Sequence, residues 1–260
     1  MKTWFSRLLR ITLLALISLS TGFAQTKPQF QDGDRFVYDL YWSFIKVGKA
    51  ELSFTATTFG EPPVEHLLAT FTAETSGIAD KLFKVRDRIE SWIDPTTGLP
   101  SYYKKRQREG KTERDIEIEF DWTKQIATYT KNGKVYDPIE IHERTYDPLS
   151  LLTAIIQHDF AAQTKFDQAT TDGKKLIFIQ ANREKTKEIK IKAGKFVSHQ
   201  INVATNELDG VFEKSPDASI RIWLTEDIPA IPLKMQSEVA VGSFYGELRS
   251  GIYQGKPIKK

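Results

Sequence analysis

The sequence predicts an all-β fold: an antiparallel meander of about a dozen strands curved into a barrel or half-barrel, with one main helix near residues 148–160. Three observations predict it. Segments that alternate apolar and polar side chains recur along the chain, turn residues separate them, and a helical spacing of apolar residues stands out once. A barrel or a strongly curved half-barrel would also protect the strand edges that a flat sheet exposes.

Residues 1–24 have the pattern of an export signal. Basic residues precede a short apolar stretch, and small residues occupy the two positions that direct cleavage: Lys2, Arg7, Arg10, then 11–19, Gly22 and Ala24. The stretch is shorter than the roughly 20 residues that a membrane-spanning helix needs. We therefore expect cleavage before Gln25, with an uncleaved anchor as the alternative, and a single β-rich domain over residues 25–260 without a membrane-spanning segment.

The composition limits the function classes. The chain has 37 basic and 34 acidic residues, and removing residues 1–24 takes away three basic ones, which leaves a formally neutral protein. A neutral surface gives no electrostatic reason to expect nucleic acid as a partner. Because the chain has no Cys, it has no disulfides and is not a lipoprotein acylated on cysteine. These features predict a soluble protein exported to a bacterial periplasm.

The first strand, within residues 35–46, is the most aromatic segment. Both of its faces are apolar, which is typical of a strand covered on both sides. One face collects Phe36, Tyr38, Leu40, Trp42 and Phe44. A turn at Gly48 precedes a second strand, and a third follows a Pro-rich loop; their inward positions are Ala50, Leu52, Phe54, Ala56, Leu67, Ala69, Phe71 and Ala73.

A three-stranded meander is predicted between Asp80 and Trp122, after a helical turn at 76–82. Turns at 94–98 and 109–111 contain the Gly, and in the first case the Pro, that tight turns favour. The second strand is basic on one face and the third is acidic, so antiparallel pairing sets opposite charges beside each other. Asp87 shares a face with Phe83, Val85, Ile89 and Ile93.

The helix follows an Asn132-Gly133 hairpin turn and a segment at 135–143 that alternates. Asp147 is placed to cap it and Pro148 to occupy its first turn. Its apolar stripe is Leu149, Leu152, Ile155, Ile156 and Phe160. Further strands are predicted at 174–181, 184–192, 196–206, 219–225, 233–241 and 243–253.

Several segments together resemble a family of exported bacterial proteins, the domain of unknown function 3108. They are Val85–Asp94, Leu99-Pro100 with Tyr103, Phe120-Asp121, Asp147–Ser150, Ala193–Phe196, Ile222–Asp227 and Ile231-Pro232. The resemblance runs in order through nearly all of residues 25–260. It implies an exported, mainly β domain and carries no catalytic residues over. The architecture is also similar to that of periplasmic half-barrels that carry lipoproteins or lipids around a covering helix.

Chemical motifs are few. His66, His142, His158 and His199 are scattered, so neither a metal site nor a cofactor is predicted, and no catalytic residue is assigned. Asp87 is the most informative polar residue, because a carboxylate on an apolar face must be paired or have a raised pKa. It either anchors a ligand or pairs with an Arg or Tyr of a neighbouring strand.

The sequence favours a noncatalytic periplasmic domain that binds an apolar or amphipathic molecule of the cell envelope in the concavity of its sheet. A lipid or another amphipathic envelope molecule is the expected partner. The predicted ligand-binding residues are Trp42, Phe44, Asp87, Leu152 and Ile156. The alternatives are an envelope scaffold that works through protein contacts and a hydrolase that uses carboxylates. An enclosed cavity would favour a carrier of the envelope molecule. An exposed apolar patch would favour a scaffold, and a cleft in which carboxylates converge would favour a hydrolase.

Overall fold

The computed structural model of the chain describes residues 30–204, 219–227, 229–239 and 242–258. The predicted export signal at 1–24 lies outside the described residues. So do the last two residues of the strand predicted at 196–206 and the end of the one predicted at 233–241. The cleavage before Gln25 and the single domain over 25–260 stay predictions.

One mixed sheet and two helices make up the described fold, and the predicted β class is confirmed. The first wing of the sheet consists of β1 (Arg35–Trp42), β2 (Ile45–Phe59), β3 (Val64–Thr75), β4 (Arg86–Ile93), β5 (Pro100–Glu109), β6 (Thr112–Asp121), β7 (Ile126–Lys131), β8 (Lys134–Val135) and β9 (Ile139–Glu140). The second consists of β10 (Thr145–Tyr146), β11 (Lys165–Thr171), β12 (Leu176–Ile191), β13 (Gly194–Val203), β14 (Ser219–Thr225), β15 (Pro232–Val239), β16 (Gly242–Tyr253) and β17 (Lys256–Pro257). The helices are α1 (Gly77–Leu82) and α2 (Pro148–Gln157).

The two wings meet at β1, which pairs with β2 on one side and with β16 on the other. Neighbouring strands are antiparallel throughout, except that β10 pairs with β11 in parallel. No pairing in the described part of the chain joins the outer strands of the first wing to β10. The sheet is therefore an open half-barrel, which decides between the two architectures that the sequence allowed.

The core lies on the inner face of the half-barrel. Side chains from both wings meet there without exposure to solvent, among them Phe36, Tyr38, Leu52, Ile201, Leu224, Leu233 and Leu248. The Tyr38 hydroxyl donates a hydrogen bond of 2.9 Å to the carbonyl oxygen of Pro232, so its polar tip is satisfied inside the core. The inward positions predicted for β1 to β3 are confirmed in part. Those that are buried are Phe36, Tyr38, Ala50, Leu52, Phe54, Leu67 and Ala69; Leu40, Phe71 and Ala73 are partly buried, and Trp42, Phe44 and Ala56 are exposed.

Helix α2 contacts both wings, since it packs on β3 and β4 of the first wing and on β10 and β11 of the second. Its predicted start is confirmed: the Asp147 side chain caps it and Pro148 is its first residue. The helix ends at Gln157 rather than near residue 160. Leu149, Ile155 and Ile156 are buried as the stripe predicted; Leu151 is also buried, whereas Leu152 is only partly buried.

The meander between Asp80 and Trp122 has the three antiparallel strands and two turns that its pattern predicts, but its first strand begins only at Arg86. Phe83, predicted on the apolar face with Asp87, instead follows α1 and is 56% exposed. Both turns contain a glycine with positive φ, Gly98 at 73° and Gly110 at 59°, a conformation in which a Cβ would be strained. The basic strand β5 pairs with the acidic strand β6. Lys104 binds Glu117 at 2.6 Å and Arg108 binds Asp115 at 2.8 Å. Cross-strand charge therefore helps to set the register.

Three segments differ from their prediction. Residues 134–143 form only the short β8 and β9, since Pro138 cannot donate to a ladder. The strands predicted at 174–181 and 184–192 are one continuous strand, β12, with a register shift between Arg183 and Lys185. Strand β11 was not predicted, because its residues (KFDQATT) lack a clear alternation.

The hairpin of β12 and β13 extends past the end of β14 and lies against the outer face of the second wing. At its tip the Lys192 ammonium contacts the buried carboxylate of Asp39 on β1. The Lys187 ammonium lies 5.8 Å from the centre of the Trp223 ring. This contact explains why Trp223 is buried although its neighbours Ile222 and Leu224 point to the inner face.

Antiparallel pairing places the turns at two opposite ends of the sheet. We call the end that carries the β1–β2 turn, α1 and the Gly110 turn the α1 end. The other end carries the turns at 60–63 and 94–99 and the C-terminus of α2. Among the described helices, neither has the length and apolar character to cross a membrane.

Candidate functional site

A cleft of about 710 Å³ opens at the end of the sheet opposite α1. It lies between the C-terminal half of α2, the start of β11 and the 95–98 turn. The cleft is within the range of about 300–1,000 Å³ that small-molecule sites occupy. It is therefore the first candidate for a binding site.

The floor of the cleft is apolar and continuous with the core. Phe54, Leu67 and Ile93 reach it from three adjacent strands of the first wing, and Phe166 reaches it from β11. All four side chains are buried, with at most 8% of their surface exposed. A ligand on this floor would touch side chains whose positions the sheet already fixes, so little conformational entropy would be lost on binding.

The rim of the cleft is polar, and its charges balance. Arg144 and Lys165 are basic, Asp159 and Asp167 are acidic, and glutamines stand between them. The guanidinium of Arg144 donates to the hydroxyl of Tyr146 at 3.1 Å. An apolar floor under a neutral polar rim suits an amphipathic molecule better than a polyanion or a polycation.

His158 closes the helix end of the cleft. Its Nε2 lies 3.0 Å from the carbonyl oxygen of Gln163. Its ring packs edge to face against Phe160 and Phe166, with ring centres 4.6 and 5.3 Å away. The ring is thereby held in one orientation, and it positions the loop that follows α2.

Asp147 fixes the N-terminus of α2 to the sheet. One of its oxygens accepts the backbone N–H groups of Leu149 and Ser150 at 2.7 and 2.9 Å. The other accepts the hydroxyl of Ser91 on β4 at 2.5 Å. Burial raises the pKa of this carboxyl above its usual range, and the donors from Ser91 and the helix N-terminus oppose that shift.

The five residues predicted to bind a ligand do not come together. Trp42 and Phe44 lie at the α1 end with 46% and 86% of their surface exposed, and Phe44 belongs to the β1–β2 turn rather than to the strand. Ile156 and Leu152 belong to α2. Ile156 is fully buried on the side of the helix that faces the core, and Leu152 is partly buried beside the core. The five do not share one pocket, and a ligand-binding role for any of them stays a prediction.

Asp87 also lies toward the α1 end. Its carboxylate accepts the backbone N–H of Arg108 at 2.8 Å, so the Arg or Tyr side-chain partner that the sequence suggested is replaced by a backbone donor. Burial, together with the neighbouring Glu109 carboxyl and against the hydrogen bond from Arg108, raises the pKa of Asp87 to about 6. The raised pKa agrees with the expectation for a carboxylate on this face, whereas the expected Arg or Tyr side-chain partner is not among the hydrogen bonds described for Asp87.

The histidines have structural surroundings. His66 is buried, with Nδ1 2.9 Å from the carbonyl oxygen of Val64 and Nε2 2.7 Å from the Ser101 hydroxyl. His199 Nδ1 lies 2.8 Å from the Thr186 hydroxyl, and burial lowers the pKa of His199. Across the described ranges, no three His, Asp or Glu side chains are grouped as metal ligands would be.

Sequence reasoning did not identify the cleft residues. Arg144, Phe166 and Gln168 flank the helix in the chain, but none belongs to a motif. The predicted helix cap at Asp147 is the one feature of the sequence that points toward the cleft. It fixes where the helix begins, and the loop that follows the helix and returns to the sheet supplies cleft residues. Which strands that loop faces is decided by tertiary structure.

Comparison with known proteins gives the family. The family model described as "Protein of unknown function (DUF3108)" matches residues 37–249. The chain belongs to this family. The match begins in β1 and ends in β16, so it spans both wings of the DUF3108 half-barrel, and the resemblance drawn from the sequence is confirmed. No curated protein matches the chain.

A solved structure supports the DUF3108 fold. It is the crystal structure of a beta-barrel-like protein of the domain of unknown function DUF1849 from Brucella abortus. The two are 11% identical, with a TM-score of 0.55, and the similarity covers 84% of this chain and 96% of that one. At this identity the likeness concerns the fold.

Proposed function

We propose that the protein is a noncatalytic binding protein of the bacterial periplasm and that it holds an amphipathic molecule of the cell envelope in the cleft beside α2. The observation that carries the proposal is the cleft itself: about 710 Å³ with a buried apolar floor and a charge-balanced polar rim. The export pattern of residues 1–24 supports the location, and the absence of Cys excludes an anchor acylated on cysteine.

The chemistry of the cleft favours a ligand with one hydrocarbon part and one polar part. Each methylene that enters the floor region contributes about 0.8 kcal/mol. The rim offers glutamine amides and balanced charges to a polar head, without a cluster of one sign. We therefore expect chain length to determine affinity and ionic strength to have little effect.

The test is a titration of delipidated protein with fatty acids of graded length at low and high salt. Binding should weaken with each methylene removed and change little with salt. Ala162→Trp should block binding because Ala162 lines the cleft, whereas Ala161→Trp changes the adjacent, equally exposed residue that does not line it. Native mass spectrometry of the protein purified from periplasm would identify a ligand that travels with it.

Two results would contradict the proposal. One is no binding at any chain length, and the other is binding that follows headgroup and salt but not chain length. Equal loss of binding in the two alanine variants would place the ligand elsewhere on the protein.

A further inference from the structure

The α1 end of the sheet exposes large apolar side chains that no described part of the chain covers. We call them the apolar end surface: Phe44, Ile45, Ile78, Leu82, Phe83 and Phe244, each with 43% or more of its surface exposed. Antiparallel pairing brings them to one end, because they lie in the β1–β2 turn, in and after α1, and at the start of β16. Trp42, itself 46% exposed, stacks on Phe244 with ring centres 6.1 Å apart.

Packing of the fold does not explain these residues. Helix α1 has no buried residue, although Ile78 and Leu82 are one helical turn apart and share a face. The segment is nevertheless held in place. The backbone N–H of Ser76 donates a hydrogen bond to the carbonyl oxygen of Val47 at 2.9 Å. The backbone N–H of Gly110 donates one to the carbonyl oxygen of Lys84 at 2.8 Å. Apolar side chains are thus presented to solvent on an anchored segment.

Basic side chains flank this surface. Two of the acidic residues beside it are paired, Glu74 with Lys49 at 2.8 Å and Asp80 with Arg86 at 2.6 Å, while the Glu109 carboxyl lies beside Asp87. Lys81, Lys84 and Lys111 are exposed, and none of them takes part in an ion pair in the described part of the chain. Three exposed lysines therefore flank the exposed aromatic and aliphatic side chains.

We propose that the apolar end surface docks on a lipid surface that carries anionic headgroups. Exposed Phe, Leu and Ile side chains insert at the boundary between headgroups and acyl chains, and flanking lysines bind anionic lipids. The docking surface lies at the end of the sheet opposite the cleft, so it neither uses nor depends on the proposed ligand site. Docked in this way, the protein leaves the mouth of the cleft facing away from the bilayer.

The experiment is sedimentation of the protein with phosphatidylcholine vesicles prepared with and without phosphatidylglycerol. Binding should require phosphatidylglycerol and weaken as salt rises. Phe44→Ser and Leu82→Ser should each weaken it by about tenfold or more, since burial of one such side chain corresponds to about that factor. Val64→Ser is the matched control, because Val64 is 54% exposed at the opposite end.

The contribution of charge is tested with a double variant, Lys81→Glu with Lys84→Glu, in the same vesicle experiment. Lys256→Glu, at the opposite end of the sheet, is its control. The first pair should abolish the preference for phosphatidylglycerol and the control should retain it. Ala162→Trp should bind vesicles as the unaltered protein does, which separates this proposal from the cleft proposal. Circular dichroism of each variant excludes misfolding as the cause of a loss.

Three outcomes would overturn the proposal. They are no binding to either vesicle, an equal effect of Val64→Ser, and a wild-type dimer that Phe44→Ser dissociates. The dimer would mean that a second copy of the chain covers the surface. Cross-linking from position 44 to another protein, in the absence of vesicle binding, would assign the surface to a protein partner instead.

Discussion

Asp87 and Asp147 are both carboxylates associated with the inner side of the sheet, and their surroundings give them different roles. Asp147 accepts hydrogen bonds from two backbone N–H groups and two serine hydroxyls, and it is completely buried. For Asp87 the described hydrogen bond is the one from the N–H of Arg108, and Glu109 lies beside it. Asp147 is thus a structural residue, whereas Asp87 is a partly buried carboxyl whose pKa is raised to about 6.

Asp87→Asn tests the consequence of that raised pKa. Between about pH 4 and about pH 6 the folded protein holds a proton on Asp87 that the unfolded chain has lost, so the free energy of unfolding falls as pH rises. The asparagine can still accept the N–H of Arg108. We expect Asp87→Asn to be more stable than the wild type by about 1–2 kcal/mol above pH 6. The difference is limited to this size because water reaches part of the Asp87 side chain. Below about pH 4 the two proteins should have similar stability.

Urea denaturation at about pH 4.5 and about pH 7.5 measures the difference. Glu65→Gln, an exposed carboxylate at the opposite end of β3, is the control and should leave the pH dependence unchanged. Equal stability of Asp87→Asn and wild type at the higher pH would show that Asp87 is hydrated and has an ordinary pKa.

At the scale of elements, α2 is held by its cap as much as by its apolar stripe. Asp147 connects the helix N-terminus to Ser91 on β4, and a reciprocal bond runs from the Asp147 N–H to the Ser150 hydroxyl at 3.0 Å. The sequence predicts the cap but not the bond to β4, because the two residues are far apart in the chain. That bond sets where the helix crosses the sheet.

Asp147→Ala should destabilise the protein by about 2–4 kcal/mol. The estimate combines the loss of a helix cap with buried donors at Ser91 and Leu149 that lose their acceptor. Asp147→Asn keeps an acceptor for the helix N-terminus, and it should cost less. Urea unfolding of both variants gives the comparison, and wild-type stability of Asp147→Ala would show that water replaces the carboxylate.

A second element, the β12–β13 hairpin, has a role that its alternation does not reveal. Its tip reaches the outer face of β1, where the two wings meet, and there Asp39 contacts both Lys192 and Lys46, the latter at 2.6 Å. These cations lower the pKa of Asp39 against the effect of its burial. The outer face of β1, which the sequence already marks as apolar enough to be covered, is thus covered by the chain's own hairpin.

At the scale of the whole molecule, the two proposed surfaces lie at opposite ends of one half-barrel. A ligand in the cleft would contact both wings of the sheet. Its binding should stabilise the entire fold for that reason. The cleft joins side chains of β2, β3 and β4 to those of β11. Unfolding of either wing would release the ligand.

Ligand linkage gives a prediction at this scale. A fatty acid at about 100 times its dissociation constant should raise the free energy of unfolding by about 2.7 kcal/mol and increase the melting temperature. Differential scanning calorimetry should show the increase with the wild type and with Ala161→Trp, but not with Ala162→Trp. An increase in all three proteins would show that the ligand acts outside the cleft.

The sequence by itself determined the β class, the meander with its two glycine turns, the pairing of basic β5 with acidic β6, and the capped helix. These features depend on neighbours in the chain or across one turn, so local periodicity and turn chemistry specify them. Only the tertiary structure decided that the sheet is open, that the β12–β13 hairpin covers the outer face, and that Trp42 and Phe44 are exposed while Phe54 and Phe166 line a cleft. Alternation tells which residues share a face, but what covers that face depends on contacts between distant segments, and those contacts leave Trp42 and Phe44 exposed at the α1 end.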